Sequence, residues 1–252
     1  MTGLQREIER LGLALVFLTR LPLRGPDPWP EDGLARAARY FPLVGALVGL
    51  IAGLVWLGAL GLGLPPLPAA ALALCAQLLL TGALHEDGLA DCADGLGGGA
   101  TRERALEIMR DSRIGTYGAL ALGMSLILRI AALASLGGAP GLAALILAHT
   151  VARTAIVSAL VSMDYARETG LASGARGTSG AEAGIALILA LLAALVLGGA
   201  WGLAALLAGL GAMLIARQRL NARLGGYTGD GLGLIAQLAE ITVLLVLCAA
   251  WA

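Results

Sequence analysis

The sequence predicts an all-α protein: a polytopic transmembrane helical bundle of about seven spans, preceded by an N-terminal interfacial or re-entrant segment. Composition is the first reason. Of 252 residues, 58% are hydrophobic and 13% charged, and the mean hydropathy is +0.85, which lies outside the range of water-soluble domains. The second reason is run length, because a hydrocarbon layer of about 30 Å needs roughly 20 apolar residues per helical crossing and the chain repeats such runs between short polar segments. The third is the absence of the period-two alternation that a lipid-facing β-barrel requires.

Taken in order, residues 1–10 are charged and lack the short apolar stretch and small-residue cleavage site of a removable leader, so the chain is expected to be mature from its first residue. Residues 11–23 are apolar but end in Arg20 and Pro22, too short to cross, hence interfacial or re-entrant. Spans are expected at 41–64, 67–84, 117–137, 141–163, 184–200, 201–216 and 232–251. The fifth and sixth are separated only by Gly198-Gly199, which reads as a turn or, with one span fewer, as a kink. No linker divides the chain, so residues 1–252 are expected to form a single integral membrane catalytic domain.

Charge gives the orientation. Arginines cluster before the first span (Arg6, Arg10, Arg20, Arg24, Arg36, Arg39), after the second (Arg102, Arg104, Arg110, Arg113), after the fourth (Arg167, Arg176) and after the sixth (Arg217, Arg219, Arg223). With seven spans these segments share one side and the intervening turns carry no Arg, so the positive-inside rule makes that side cytosolic, in the cytoplasmic (inner) membrane. Glu86, Asp87, Asp91, Asp94, Asp111, Asp164, Glu168 and Asp230 fall on the same side. Charged loops must meet water somewhere, yet their convergence also describes a site.

All 17 basic residues are Arg, which excludes a Schiff-base lysine, a P-loop lysine and a lysine general base. Zero formal net charge gives no basic surface for nucleic acid. Cys75, Cys92 and Cys248 have neither metal-ligand spacing nor a disulfide framework.

The chemistry is concentrated in His85-Glu86-Asp87-Gly88-Leu89-Ala90-Asp91-Cys92-Ala93-Asp94-Gly95. If the second helix continues through it, Asp87, Asp91 and Asp94 stand at i, i+4 and i+7 on one face. Carboxylates so stacked repel one another unless a cation compensates. Mg²⁺ is suited to this, since it bridges one or two carboxylates to substrate phosphates; the plainer reading is solvated aspartates paired with Arg102, Arg104 or Arg110. Arg110-Asp111-Ser112-Arg113 offers two arginines able to grip a diphosphate, or two positive-inside anchors. Thr228-Gly229-Asp230 adds a carboxylate before the last span. Arg129, His149, Arg153 and Glu240 lie inside spans, where each charge costs roughly 3 kcal/mol, so they either pair with one another or line a wet cavity.

The acidic string, followed by Glu107-Ile108-Met109-Arg110-Asp111-Ser112-Arg113-Ile114-Gly115-Thr116, resembles the cobalamin synthase (adenosylcobinamide-GDP ribazoletransferase) family. Phe17-Leu18-Thr19-Arg20-Leu21-Pro22, Phe41-Pro42-Leu43-Val44-Gly45, Tyr165-Ala166-Arg167 and Gly226-Tyr227-Thr228-Gly229-Asp230 extend the likeness over nearly the whole chain. The resemblance implies the last step of vitamin B12 nucleotide-loop assembly, a Mg²⁺-dependent transfer joining α-ribazole or its 5'-phosphate to adenosylcobinamide-GDP with release of GMP. It further implies Asp87, Asp91 and Asp94 as metal ligands, and His85 or one of these aspartates as the base. Arg110, Asp111, Arg113, Arg153, Thr228 and Asp230 would be substrate-binding residues. The other expected partner is membrane lipid, with a homo-oligomer allowed and nucleic acid excluded. A CDP-alcohol phosphotransferase also places Asp-Gly-x-x-Ala followed by Arg on a helix facing the cytosol; here Asp87-Gly88-Leu89-Ala90 runs directly into Asp91, so the match is partial. A transporter would show internal repeats, and the acidic motif is not repeated.

Overall fold

The computed structural model describes residues 3–25, 32–167 and 170–252; Glu168, counted above with the acidic group, lies outside the described residues. Among the described residues ten α-helices carry the fold: α1 (Gly3–Leu18), α2 (Gly33–Ala37), α3 (Phe41–Gly61), α4 (Pro66–Thr81), α5 (Leu84–Gly98), α6 (Arg102–Ile108), α7 (Thr116–Ser135), α8 (Gly138–Ser162), α9 (Gly180–Leu224) and α10 (Gly229–Trp251). There is no strand among the described residues.

Five helices are long and apolar enough to cross a membrane, and the bent pair α4–α5 makes a sixth candidate. The 45 residues of α9 would run about 68 Å if straight, more than twice a hydrocarbon layer. They fold back instead. Gly199 takes φ 54, ψ −129 inside α9, a conformation open essentially to glycine. Beyond it, a Cβ on Gly202 would lie 2.1 Å from the carbonyl oxygen of Ala194; eight residues apart on a straight helix, these would be separated by about 12 Å. The break is therefore a turn, and 180–198 and 200–224 are two arms. Counting the two arms separately and the bent pair α4–α5 once, the described residues hold seven span candidates.

The most enclosed helix is α8, with 83% of its apolar window inside the protein against 22% for α9. Against it lies α3, whose glycines recur every fourth residue at Gly45, Gly49 and Gly53. Added Cβ atoms on the first two would meet the carbonyl oxygens of His149 at 2.2 Å and Leu145 at 2.4 Å. Such small-residue ridges let backbones touch where lipid supplies no hydrophobic drive to associate. The short helix α1 is not among the crossing candidates. It packs beside α2 and α3, with Phe17 stacked on buried Phe41 at 5.8 Å.

The expectation that the second span runs on through the acidic motif is corrected here. Gly82 (φ 64) and Ala83 (φ 56) are both left-handed, and the chain bends by 90° between α4 and α5. The motif thus forms its own helix, laid against the first turns of α7 and α10.

Candidate active site

Two glycines put α5 against α10. A Cβ on Gly88 would sit 2.7 Å from the carbonyl oxygen and 2.9 Å from Cα of Asp230, and one on Gly233 would sit 3.0 Å from Cα of Gly88. This backbone contact brings Asp87 and Asp91, from α5, to Asp230 in the first turn of α10. Asp87 is exposed, Asp91 half-buried, and Asp91 feels the charges of Asp230 and Asp87.

A second junction adds the cation. Tyr165 and Tyr227 form a single parallel bridge in which Tyr227 N donates to Asp164 O and Ala166 N to Tyr227 O, both at 2.8 Å. Their rings pack at 5.1 Å. Burial pushes the Tyr227 hydroxyl up from its ordinary range. The bridge holds Arg167 across from Asp230, with Nη2 2.8 Å from Oδ2. Thr228 caps α10, its hydroxyl accepting from Gly231 N at 3.0 Å.

Asp87, Asp230, Arg167 and His85 line a cavity of about 460 Å³ whose other walls are apolar. Arg167 is the one cation among its described lining residues. Against Asp87, Asp230 and neighbouring Asp91, it leaves the carboxylates in excess. Arg167 Nη2 and Asp230 Oδ2 answer one another as a buried ion pair, which leaves Arg167 Nε as the buried donor without a hydrogen bond.

Further along the same face of α5, Asp94 is used differently. Its Oδ2 accepts from Gly115 N at 2.7 Å and its Oδ1 from Gly118 N at 2.8 Å, which caps α7 and sets a negative charge at its positive end. Asp94 shares the helical face of Asp87 and Asp91 and its charge is felt at Asp91, but Gly115 N and Gly118 N at the start of α7 claim both of its oxygens. It lines a separate cavity of about 280 Å³ with Asp111 and Arg113. There Arg113 grips Asp111 (Nη2 to Oδ2 2.6 Å, Nε to Oδ1 3.0 Å). These bonds hold the Asp111 carboxyl down at about 2. Arg110 is exposed and lines neither cavity.

Arg153 is placed in the protein interior, within a buried network. Arg129 Nη1 donates to Glu86 Oε1 and Glu240 Oε1, both at 2.9 Å. Glu240 also accepts from Gln77 Nε2 at 3.1 Å and faces His149 Nδ1 at 3.4 Å and Arg153 Nη1 at 3.9 Å. Gln237 Nε2 donates to Glu86 Oε1 at 3.0 Å. Two arginines thus face two glutamates inside the bundle, the pairing that burial of charge demands. Sequence reasoning passed over Glu86, Gln77 and Arg167 as site-shaping groups. Glu86 sits in the motif itself, and Arg167 in a segment that already carried the family resemblance, so the signal was present without the distances.

Fold and site together define an integral membrane protein of helical bundle type with a carboxylate-rich, arginine-flanked cavity at one end of the bundle. Residues 10–248 match the family model described as cobalamin-5-phosphate synthase, and the chain belongs to that family. Curated proteins named adenosylcobinamide-GDP ribazoletransferase are similar over almost the whole length. The one from Ralstonia nicotianae is 44% identical over 257 residues, covering 99% of this chain and 98% of the relative. That from Mesorhizobium japonicum is 45% identical, covering 95% and 92%; that from Azorhizobium caulinodans is 46% identical, covering 95% of each. No solved structure matches the chain.

Proposed function

We propose that this chain is an adenosylcobinamide-GDP ribazoletransferase of the cytoplasmic membrane, joining α-ribazole or its 5'-phosphate to adenosylcobinamide-GDP. The arginine-rich loops, and the site with them, face the cytosol by the positive-inside rule. The observation that carries the reading is the convergence of Asp87, Asp230 and Arg167 at one cavity, with Asp91 close enough to feel their charges, in a chain of this family.

In the reaction the ribose 3'-hydroxyl attacks the phosphorus attached to the cobinamide arm. A new O–P bond forms, the bond to the bridging oxygen of GMP breaks, and the hydroxyl proton passes to a base. Little covalent chemistry is left to the protein, which positions groups and neutralises charge. Among the described residues no three His, Cys, Asp or Glu side chains are grouped closely enough to cage a metal alone. Mg²⁺ needs only one or two protein carboxylates and takes its remaining ligands from phosphate and water. Asp87 and Asp91, one turn apart on α5, would hold it; Asp94, bound at both oxygens by Gly115 N and Gly118 N, would instead set the position of the motif helix. Bound Mg²⁺ would offset charge on the diphosphate and the departing GMP. Arg167, whose Nε makes no hydrogen bond, is the cation for a phosphate oxygen. His85 and the aspartates stand beside the cavity as candidate proton acceptors.

The test is Asp91→Asn in purified protein supplied with adenosylcobinamide-GDP, α-ribazole and Mg²⁺. Release of GMP should stop while the protein still extracts and elutes like wild type; retained turnover would defeat the assignment.

A further inference from the structure

The cavity has two kinds of wall. Carboxylates and Arg167 come from α5, α10 and the segment before residue 170, whereas α1 contributes only Val16, Phe17 and Leu18. Leu84, Ile156 and Leu232 continue the apolar surface. Phe17 is braced by Phe41, which is fully buried. The apolar end of α1, packed on the core through Leu18 and Phe17, thus faces the carboxylates of Asp87 and Asp230 across the cavity.

We infer that the α1 wall is a binding site for the flat aromatic base of the acceptor nucleoside, and that Val16, Phe17 and Leu84 select a base with apolar edges. This rests on the reaction proposed above, because the attacking hydroxyl must lie at the carboxylate end. Size argues for the acceptor. At about 460 Å³ the cavity holds a ligand of nucleoside dimensions and cannot enclose a corrin macrocycle, so the donor enters by its diphosphate arm alone. Chemistry argues for the base. A nucleoside is amphipathic end to end, with a ring at one end and hydroxyls at the other, matching walls of these two kinds. An acyl chain would use the apolar wall but bring nothing polar to Asp87 or to the free Nε of Arg167. A purine base rimmed by amino and ring-nitrogen groups would bury them against Val16 and Leu84 without partners, and each such loss weakens binding by roughly tenfold. A benzimidazole base has carbon at those edges and loses nothing.

The test uses full-length protein in lipid nanodiscs. Equilibrium dialysis measures α-ribazole and the corresponding adenine-bearing α-ribonucleoside, and GMP release gives the donor KM. Val16→Asn and Leu84→Asn should weaken α-ribazole binding at least tenfold, shrink its advantage over the adenine nucleoside, and leave the donor KM within twofold. Phe17→Leu, a milder change, should weaken it severalfold, and Leu4→Asn, 72% exposed on the same helix, should do nothing. Wild-type affinity for α-ribazole in Val16→Asn and Leu84→Asn, or equal binding of the two nucleosides by wild type, would overturn the inference. So would co-purifying phospholipid lost from Val16→Asn with α-ribazole affinity unchanged, which would assign the wall to an acyl chain. Normal α-ribazole binding without GMP release would overturn the proposed reaction while leaving the base site standing; GMP release with binding unaltered across the variants would remove the base site alone.

Discussion

Gly88→Ala is the sharpest perturbation of the site, because it changes one hydrogen to a methyl and touches no charged group. The added carbon would lie 2.7 Å from the carbonyl oxygen of Asp230, 2.9 Å from its Cα and 3.1 Å from Cα of Gly233. Every one of these neighbours is backbone, so no side-chain rotation can relieve the contact. Restoring ordinary van der Waals distance requires α5 and α10 to part by about 0.7 Å. Overpacking of this kind costs roughly 1–3 kcal/mol of stability. The larger effect is on rate. Asp91 lies one turn beyond Gly88, and a displacement approaching 1 Å between catalytic groups costs on the order of 10²-fold. The measurement is kcat for GMP release by purified variant, beside its thermal unfolding midpoint. Gly12→Ala serves as control, since a Cβ there meets nothing within 4 Å. A Gly88→Ala enzyme with kcat within twofold of wild type would refute the claim that this backbone contact sets the spacing of Asp91 and Asp230.

Chelation by EDTA should stop GMP release and added Mg²⁺ restore it; a full rate in EDTA would remove the metal from the mechanism. Glu240→Gln should destabilise the protein by about 3–5 kcal/mol, because Arg129 and Arg153 would then face Glu86 alone in the buried network; a loss under about 1 kcal/mol in denaturant titration would show the network is not charge-balanced as described. Gly199→Ala should cost about 1–3 kcal/mol, since φ 54, ψ −129 is hostile to any Cβ, whereas Gly211→Ala, with open space around it, should be neutral; equal stabilities would argue for a kinked single helix in place of the turn.

The bundle was legible in the sequence because hydropathy is a local property: a run of about 20 apolar residues needs no tertiary partner to declare itself. Gly198-Gly199 was legible only as a choice between turn and kink. Both are compatible with glycine, and the choice depends on whether the arm 200–224 packs back on the arm 180–198, which the position of Gly202 on Ala194 decides. The bend at Gly82-Ala83 was missed for a related reason, since Ala83 is a good helix former held left-handed by its surroundings.

At the site, residue types and their side of the membrane followed from the chain alone: carboxylates in one motif, arginines beside them, all gathered by the parity of the spans. Helical spacing correctly placed Asp87 and Asp91 together, but it could not say what else would compete for Asp94. The first turn of α7, 21 residues further on, takes both oxygens of Asp94, and Asp230, far down the sequence, stands beside Asp91 in its place. Composition and periodicity determine which groups a membrane chain can afford and on which side they emerge, because both follow from transfer between water and lipid. Which of those groups face one another depends on close backbone contacts such as Gly88 on Gly233, and only the folded structure decides them.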